Sequence, residues 1–245
     1  MNDALYNMKF FMECLRDIPA NESLTLNDGF CVSTITEAEN WVCFPGRVND
    51  VESVKAVAEF FRDRHEFFMW PVFDGGNEIL SAGGLSQSES LRAMYLDSDS
   101  PVQIRGNDSV TFKAVTSRED SMRWAVCSWR GFEYDGDEPS EDFCKFAGNL
   151  AGCEDFRLYI AVLDGRDCGT FLTVNDDAGF MGAYYLAVLP DMRRKGIATA
   201  IMNEVRRLSH RKKIVFQATM MGVPCYLACG FKDCGEIEVY RNRQS

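Results

Sequence analysis

The stretch from Val188 to Thr199 constrains the fold of this chain more than any other. It reads Val-Leu-Pro-Asp-Met-Arg-Arg-Lys-Gly-Ile-Ala-Thr, so an apolar strand runs into a basic turn and the turn runs directly into an amphipathic helix. Such an arrangement points several backbone N–H groups and the positive end of a helix at one place, which suits a phosphate or a pyrophosphate. The sequence therefore predicts a site for a phosphorylated ligand here.

The charge distribution narrows the choice of ligands. The chain has 26 Lys and Arg residues against 37 Asp and Glu residues, a formal net charge of −11, which opposes binding to nucleic acid or to an anionic membrane surface. Eight basic residues nevertheless lie between Asp191 and Lys213, with only two acidic ones. We therefore expect an anionic ligand in this region, and neither a nucleic acid nor a membrane as partner.

Length and composition limit the number of domains, the cellular location and the state of the cysteines. The 245 residues, 46% of them hydrophobic, suffice for one large domain or two small ones. The N-terminus lacks the basic and apolar segments of a secretory signal, and no segment reaches the roughly 18 apolar residues of a membrane span. Ten cysteines are scattered without a Cys-x-x-Cys pair. Reduced thiols, no metal and a cytoplasmic location are therefore expected.

The C-terminal half has the clearest pattern of elements. A helical segment stands between the apolar runs 181–189 and 214–219, which predicts a β-α-β crossover and two parallel neighbouring strands. Ser117 is the predicted cap of a helix that extends to Arg130. The predicted elements of this half are strands at 110–115, 156–163, 168–174, 181–189, 214–219 and 236–241, and helices at 117–130, 196–209 and 224–229.

The N-terminal half contains an order of elements that the C-terminal half repeats. A buried strand, a short helix, a glycine and another strand occur at 66–96 and again at 214–240, which indicates an internal duplication. Residues 97–108 are rich in Asp, Ser, Gly and Pro and are the predicted linker, so the predicted domains are 1–108 and 109–245. The other predicted elements are strands at 24–35 and 40–44 and a helix at 50–64 that is capped by Asp50.

Two motifs of the C-terminal half resemble those of one enzyme family. Residues 193–198, Arg-Arg-Lys-Gly-Ile-Ala, match the Arg/Gln-x-x-Gly-x-Gly/Ala acyl-CoA signature of the GCN5-related N-acetyltransferase (GNAT) family. Residues 226–231, Tyr-Leu-Ala-Cys-Gly-Phe, resemble the Tyr-x-x-x-Gly-Phe segment of the same family. The spacing of the two motifs also agrees, and the resemblance covers roughly residues 110–245.

The resemblance implies a fold and an activity. The fold is a mixed α/β (α+β) architecture, the GNAT-like acyl-CoA N-acyltransferase fold, whose central mixed sheet has two splayed parallel strands. The N-terminal half is expected to be a second, tandem GNAT-like domain without the CoA loop, which shapes the acceptor cleft or stands in for a dimer partner. The implied activity is transfer of an acetyl group from acetyl-CoA to the amine of a small molecule or peptide, with no metal; the oligomeric state stays open.

The resemblance also assigns residues to the donor. The pantetheine arm would lie against the backbone of 186–188, and the amides of 193–199 would hold the pyrophosphate, because the small side chains at Gly196 and Ala198 allow close approach. Thr219 replaces an Asn of the family and would either hydrogen-bond the pantetheine or cap the next turn. The residues so assigned are Leu186, Ala187, Val188, Arg193, Arg194, Lys195, Gly196, Ile197, Ala198, Thr199 and Thr219.

The catalytic groups are only partly implied. Tyr226 occupies the family position of the acid that protonates the leaving thiolate. Ala183 stands near the position at which other members carry a Glu, so the base is open between Tyr184, Tyr185 and a water chain. An acidic loop at 133–142 would either attract a cationic amine or be exposed and flexible. A non-catalytic acyl-CoA-binding or sensing module with an interaction domain is the alternative function.

Overall fold

The computed structural model describes residues 3–36, 39–44, 47–62, 64, 67–72, 75–97, 105–176 and 178–242. Its N-terminal half comprises α1 (Asp3–Arg16), β1 (Glu22–Leu26), β2 (Gly29–Ser33), β3 (Trp41–Cys43), α2 (Val51–Arg62), β4 (Met69–Val72), α3 (Asn77–Ala82) and β5 (Leu85–Leu96). Its C-terminal half comprises β6 (Thr111–Ala114), α4 (Arg118–Gly131), α5 (Glu141–Gly152), β7 (Phe156–Leu163), β8 (Arg166–Asn175), β9 (Phe180–Val188), α6 (Ile197–Leu208), β10 (Lys213–Thr219), α7 (Val223–Ala228) and β11 (Lys232–Asn242). No helix in these ranges is long and apolar enough to cross a membrane.

Within the described residues, the strands form one mixed sheet of eleven strands in the order β1-β2-β3-β4-β11-β5-β10-β9-β8-β7-β6. The last strand of each half is inserted into the other half. β11 lies between β4 and β5, and β5 lies between β11 and β10, with antiparallel pairing at every one of these contacts. The two halves are therefore interlocked by an exchange of their final strands.

The two halves repeat one order of elements, as the sequence indicates. β1, β2, β3, α2, β4, α3 and β5 correspond to β7, β8, β9, α6, β10, α7 and β11. Each series contains one parallel pair, β3 with β4 and β9 with β10. Residues 98–104 of the predicted linker lie outside the described residues, and the boundary between 108 and 109 stays a prediction.

Helix caps and turns account for most of the local structure. The Ser117 hydroxyl accepts from the Asp120 N–H at 3.1 Å, and the Asp50 carboxylate accepts from the Ser53 N–H at 2.6 Å, so both predicted caps are confirmed. The single strand predicted at 24–35 is wrong. The Asn-Asp-Gly sequence at 27–29 turns the chain back, and β1 and β2 form a hairpin instead.

The side chains of the central strands form two cores, because successive residues of a strand point to opposite faces of the sheet. Phe171 packs in the core beneath α6, whereas its neighbour Leu172 packs in the core shared by α1, α4 and α5. Trp124 of α4 is fully buried in the second core. The candidate active site lies at β9 and β10, the two parallel strands in the middle of the sheet between these cores.

Candidate active site

The parallel strands β9 and β10 pair along only part of their length. Their partners are Lys213 with Phe180, Ile214 with Met181, and Val215 with Gly182. No further β9–β10 pair occurs among the described residues, so the edge of residues 183–188 that faces β10 is open. The predicted splay of two central parallel strands is therefore confirmed.

A bulge in β9 shapes the chain at the splay. Leu172 of β8 pairs with Tyr184, but Thr170 pairs with Ala187, so one residue of β8 opposes two residues of β9. Tyr185 has φ of 53°, and the Thr170 hydroxyl donates to its carbonyl oxygen at 3.1 Å. Because of this bulge the consecutive side chains of Tyr184 and Tyr185 both pack on the α1 and α4 face.

The segment that the sequence assigns to the pantetheine follows the bulge. Ala187 is buried, and Leu186 and Val188 pack partly buried on the α6 face. Arg193 ties this segment to the end of α4, since its guanidinium donates to the carbonyl oxygens of Val188 at 3.2 Å and Gly131 at 3.0 Å. The Arg193 side chain therefore ties β9 to the end of α4, while 36% of it is exposed.

The basic turn forms the predicted open helix N-terminus. Arg194 and Gly196 have φ of 65° and 76°, and a single 3-10 turn precedes them. In α6 the Ala200 N–H donates to the Gly196 carbonyl oxygen at 3.0 Å, so the amides of 197–199 lie in the first turn, ahead of that bond. These amides and the helix dipole can hold an anion. Lys195 and Arg194 are exposed beside them.

The structure shows a further reason why position 196 requires glycine, which the sequence did not reveal. A Cβ there would lie 3.2 Å from the backbone nitrogen of Asn107, and the positive φ disfavours any other residue. The Asn107 side chain in turn donates to the Lys195 carbonyl oxygen at 3.0 Å. The segment before β6 therefore packs against the turn at Gly196, which needs glycine for its backbone conformation and for this contact.

Tyr226 and Thr219 lie at the far side of the splay. The Tyr226 ring packs on Phe216 of β10 with ring centroids 4.6 Å apart, and a Cβ on Gly222 would lie 2.6 Å from the ring. No described residue hydrogen-bonds the Tyr226 hydroxyl, and burial raises its pKa above the usual value for tyrosine. Thr219 ends β10, and its carbonyl oxygen accepts from the Gly222 N–H at 2.9 Å.

A cavity of about 240 Å³ opens on the α1 and α4 face of the splay, and both halves of the chain line it. Tyr184, Tyr185 and Thr219 come from the C-terminal half, whereas Glu39 and Glu89 come from the N-terminal half. β5 carries Glu89 to this place because the strand exchange sets it beside β10. The cavity is thus a direct product of the interlocked topology.

Glu39 is a buried carboxyl group that the sequence did not reveal. It is 7% exposed; the Tyr185 hydroxyl donates to one of its oxygens and the Trp41 indole N–H donates to the other at 2.6 Å. Burial raises its pKa to about 7, while the hydrogen bonds from Tyr185 and Trp41 act in the lowering direction. No motif surrounds Glu39, so only the adjacent tyrosines pointed toward this part of the site.

Four of the six carboxylates in the acidic loop at 133–142 form ion pairs, with three basic side chains. Arg193 pairs with Glu133 at 2.7 Å, and Arg130 pairs with Glu138. Lys145 contacts both Glu141 and Asp142 at the start of α5. The carboxylates that line the cavity are therefore Glu39 and Glu89, not those of this loop.

The N-terminal half lacks the corresponding anion site. Helix α2 corresponds to α6, but the Asp50 carboxylate accepts from the N–H and the hydroxyl of Ser53 at its N-terminus. A carboxylate at this place competes with a phosphate for the amides and repels it. Among the described residues, the uncapped helix N-terminus that could hold an anion is therefore that of α6 and not that of α2.

Residues 154–233 match the sequence profile of the family described as Acetyltransferase (GNAT) domain. This part of the chain is a GNAT acetyltransferase domain. No curated protein sequence matches the chain. The matched residues include both motifs, the splayed strands β9 and β10, and α6.

Solved structures extend the likeness over the whole chain. A GCN5-related N-acetyltransferase from Kribbella flavida is 12% identical with a TM-score of 0.70, over 100% of this chain and 97% of its own. A GCN5-related N-acetyltransferase from Sphaerobacter thermophilus is 16% identical with a TM-score of 0.60, over 98% and 89%. A tandem GNAT protein from the clavulanic acid biosynthesis pathway is 13% identical with a TM-score of 0.57, over 100% and 97%. Identities this low show a common fold and nothing more, and the matched region includes the N-terminal half.

Proposed function

We propose that the protein is a cytoplasmic acetyl-CoA-dependent N-acetyltransferase that transfers an acetyl group to the amine of a small molecule or peptide. The observation that carries the proposal is the splay of β9 and β10, which joins the open N-terminus of α6 on one face to the cavity on the other. A donor and an acceptor could thus meet from opposite sides of the sheet. The GNAT profile supports an N-acyltransferase activity in general.

The residues on the α6 face fit the donor. The amides of 197–199 and the dipole of α6 would hold the pyrophosphate, with Arg194 and Lys195 adding positive charge. The open edge of β9 at 186–188 would hydrogen-bond the amide groups of the pantetheine. Thr219 lines the cavity on the other face, so its hydroxyl would reach the pantetheine only through the opening between β9 and β10. Arg193 would contribute its backbone and keep β9 in position. When bound, acetyl-CoA supplies the thioester; no metal is required.

Tyr226 would protonate the thiolate that leaves. Its hydroxyl has no hydrogen-bond partner among the described residues, and burial raises its pKa, so it carries a proton at neutral pH. The thiolate, a strong base as the C–S bond breaks, would take that proton. A backbone N–H of the open β9 edge would stabilise the negative oxygen that forms on the attacked carbonyl. The amine would then add directly to the thioester, with no covalent enzyme intermediate.

Tyr226→Phe is expected to lower kcat for acetyl-CoA-dependent thiol release by about 100-fold, because it removes the proton donor and leaves the ring packing intact. The KM for acetyl-CoA should change little. Thiol release over a panel of small amines, polyamines, aminoglycosides and peptides measures both quantities. Tyr159→Phe is the matched control, since this ring stacks on Phe171 away from the cavity. Equal kcat in the two variants would remove Tyr226 from the mechanism.

The alternative is a non-catalytic acyl-CoA-binding module with an interaction domain. The lack of a carboxylate beside Ala183 argues for this alternative. Glu39 supplies a buried carboxyl group in the cavity from the other half of the chain, which favours catalysis. Saturable CoA binding without thiol release for any amine of the panel would favour the module instead.

A further inference from the structure

The cavity has an aromatic wall and an acidic rim. Trp41, Phe132, Tyr134 and Tyr185 line it, and the Phe132 and Tyr134 rings stack with centroids 5.7 Å apart. Glu39 and Glu89 are its charged groups, and no Lys, Arg or His is among the described residues that line it. Aromatic faces and carboxylates both attract cations, whereas the aromatic body of the wall favours apolar groups.

The size of the cavity sets a further bound. Its volume of about 240 Å³ lies below the roughly 300–1,000 Å³ that is usual for drug-sized ligands. It is therefore matched to a small molecule or to the end of a chain. A ligand that also carries a carboxylate would meet the two uncompensated carboxyl groups.

We propose that this cavity binds a small primary amine with an apolar body, and that Glu39, contributed by the N-terminal half, accepts the proton that the ammonium group must lose before it attacks. The proposal rests on the proposed function, because it names the acceptor and the base of that reaction. It assigns the N-terminal half a chemical role in the reaction.

The geometry around Glu39 suits this role. Its two oxygens each accept one hydrogen bond, from Tyr185 and from Trp41, and each retains a lone pair for the N–H of a bound amine. The groups that face it are Tyr184 and Tyr185 of β9, Trp41 of β3, Tyr134 after α4 and Glu89 of β5. Burial holds the pKa of Tyr134 and Tyr185 above the usual value, so neither phenol is a base near neutral pH.

The reaction balances in protons and electrons. The ammonium gives one proton to the Glu39 carboxylate, and the lone pair of the neutral nitrogen forms a C–N bond to the thioester carbonyl carbon. Collapse of the tetrahedral adduct breaks the C–S bond, and the pair stays on sulfur. The second proton of the nitrogen ends on the thiolate through the Tyr226 hydroxyl. Glu39 then returns its proton to water, so one amide, one free thiol and one proton are formed.

Glu39→Gln tests the proton acceptor. With a pKa of about 7, wild-type kcat/KM should rise with pH through 7 and level off above it, since only the carboxylate accepts a proton. Glu39→Gln should lower kcat/KM by about 100-fold at pH 8 and abolish this rise, the limb of the pH profile that reports Glu39. Glu89→Gln is the matched control: it removes an exposed carboxylate of the same cavity, so KM for the amine should rise and the limb should stay. A Glu39→Gln enzyme that retains the limb would overturn the role of Glu39.

Tyr185→Phe separates a chemical role from a structural one. The hydrogen bond from Tyr185 lowers the pKa of Glu39, so its loss should move the limb of kcat/KM to higher pH. The rate should fall at pH 7 and recover by about pH 9, which a merely misfolded site would not do. For both Glu39→Gln and Tyr185→Phe, an unchanged unfolding temperature would show that the fold is intact. An unchanged CoA affinity by calorimetry would show the same for the donor site. An unshifted limb would contradict the assignment.

Calorimetry with the CoA-loaded protein tests the class of acceptor. 2-Phenylethylamine should bind at least 10-fold more tightly than 2-phenylethanol, which lacks the charge, and than L-phenylalanine, which adds a carboxylate. Glu39→Gln and Glu89→Gln should each weaken its binding. If wild-type enzyme acetylates peptides or polyamines but shows no preference for 2-phenylethylamine, the acceptor class is wrong while the proposed function stands. If no amine releases thiol, the proposed function fails, and selective binding of 2-phenylethylamine would still support the cavity as an amine site.

Discussion

Val239→Asp is expected to unfold both halves of the chain together. Val239 is fully buried in β11, where its backbone pairs with Pro71 on one side and Glu89 on the other. An unpaired carboxylate at such a place costs several kcal/mol, which is comparable to the whole stability of a domain, about 5–15 kcal/mol. Because β11 completes the sheet of the N-terminal half and anchors β5, neither half keeps its central strands. Far-UV circular dichroism and resistance to proteolysis would show the loss.

Milder variants of β11 allow the joint unfolding of the two halves to be measured. Val239→Ala should lower the free energy of unfolding by about 2 kcal/mol, from lost burial and a small void. Hydrogen exchange followed by mass spectrometry should show β2 and β8, one strand from each half, losing protection at the same denaturant concentration. Glu236→Gln, an exposed change on the same strand, should leave stability within about 0.5 kcal/mol. Separate transitions for the two halves would contradict the interlocked sheet.

The elements of the C-terminal half were predictable because their signals are local. β7 begins and ends where the sequence places it, and α6, α7 and the parallel pair of β9 with β10 lie within two residues of the predicted bounds. Hydrophobic period, a capping serine and turn glycines act over a few residues, so they can be read without knowing the partners of a strand. Two elements of this half are exceptions, since helix α5 (Glu141–Gly152) is missing from the predicted elements and the strand predicted at 236–241 is too short. β11 runs from Lys232, because pairing with both β4 and β5 extends it.

The strand exchange was not predictable from these signals. β5 and β11 each mix polar and apolar residues, and nothing in their sequences assigns them to one half, since pairing is decided by backbone geometry and by burial at a distance along the chain. Helix α1 was also missed, although Met8, Phe11 and Leu15 recur at helical spacing and are buried. Its apolar face becomes informative only once the sheet that it covers is known.

The cavity depends on the same exchange, so its residues were equally hidden. Glu39 has no motif around it, and Glu89 lies in a strand whose position beside β10 follows only from the register of Leu91 with Thr219. The sequence did narrow the base to Tyr184, Tyr185 or water, and Tyr185 contacts Glu39. A duplicated chain thus places groups of one copy in the cavity of the other, which a family motif within one copy does not reveal.

Ala198→Glu is expected to weaken CoA binding by about 1,000-fold. The residue lies in the first turn of α6, so a carboxylate there stands within a few ångströms of any phosphate that the amides of 197–199 hold. Two unit charges 4 Å apart repel by about 4 kcal/mol at the effective dielectric of a protein surface, and 1.4 kcal/mol is a factor of ten. The fold should not suffer, because an acidic residue at a helix N-terminus stabilises the helix by about 0.3–1 kcal/mol. The variant would therefore lose its ligand while its unfolding temperature stays the same or rises.

Ala198→Gln is the matched control, since it adds nearly the same volume without the charge. Calorimetric titration with CoA should show a loss for Ala198→Gln that comes from its added volume and a larger loss for Ala198→Glu, and the difference between the two measures the electrostatic part. Equal CoA affinity for wild type and Ala198→Glu would move the pyrophosphate away from α6 and remove the donor site from the proposed function.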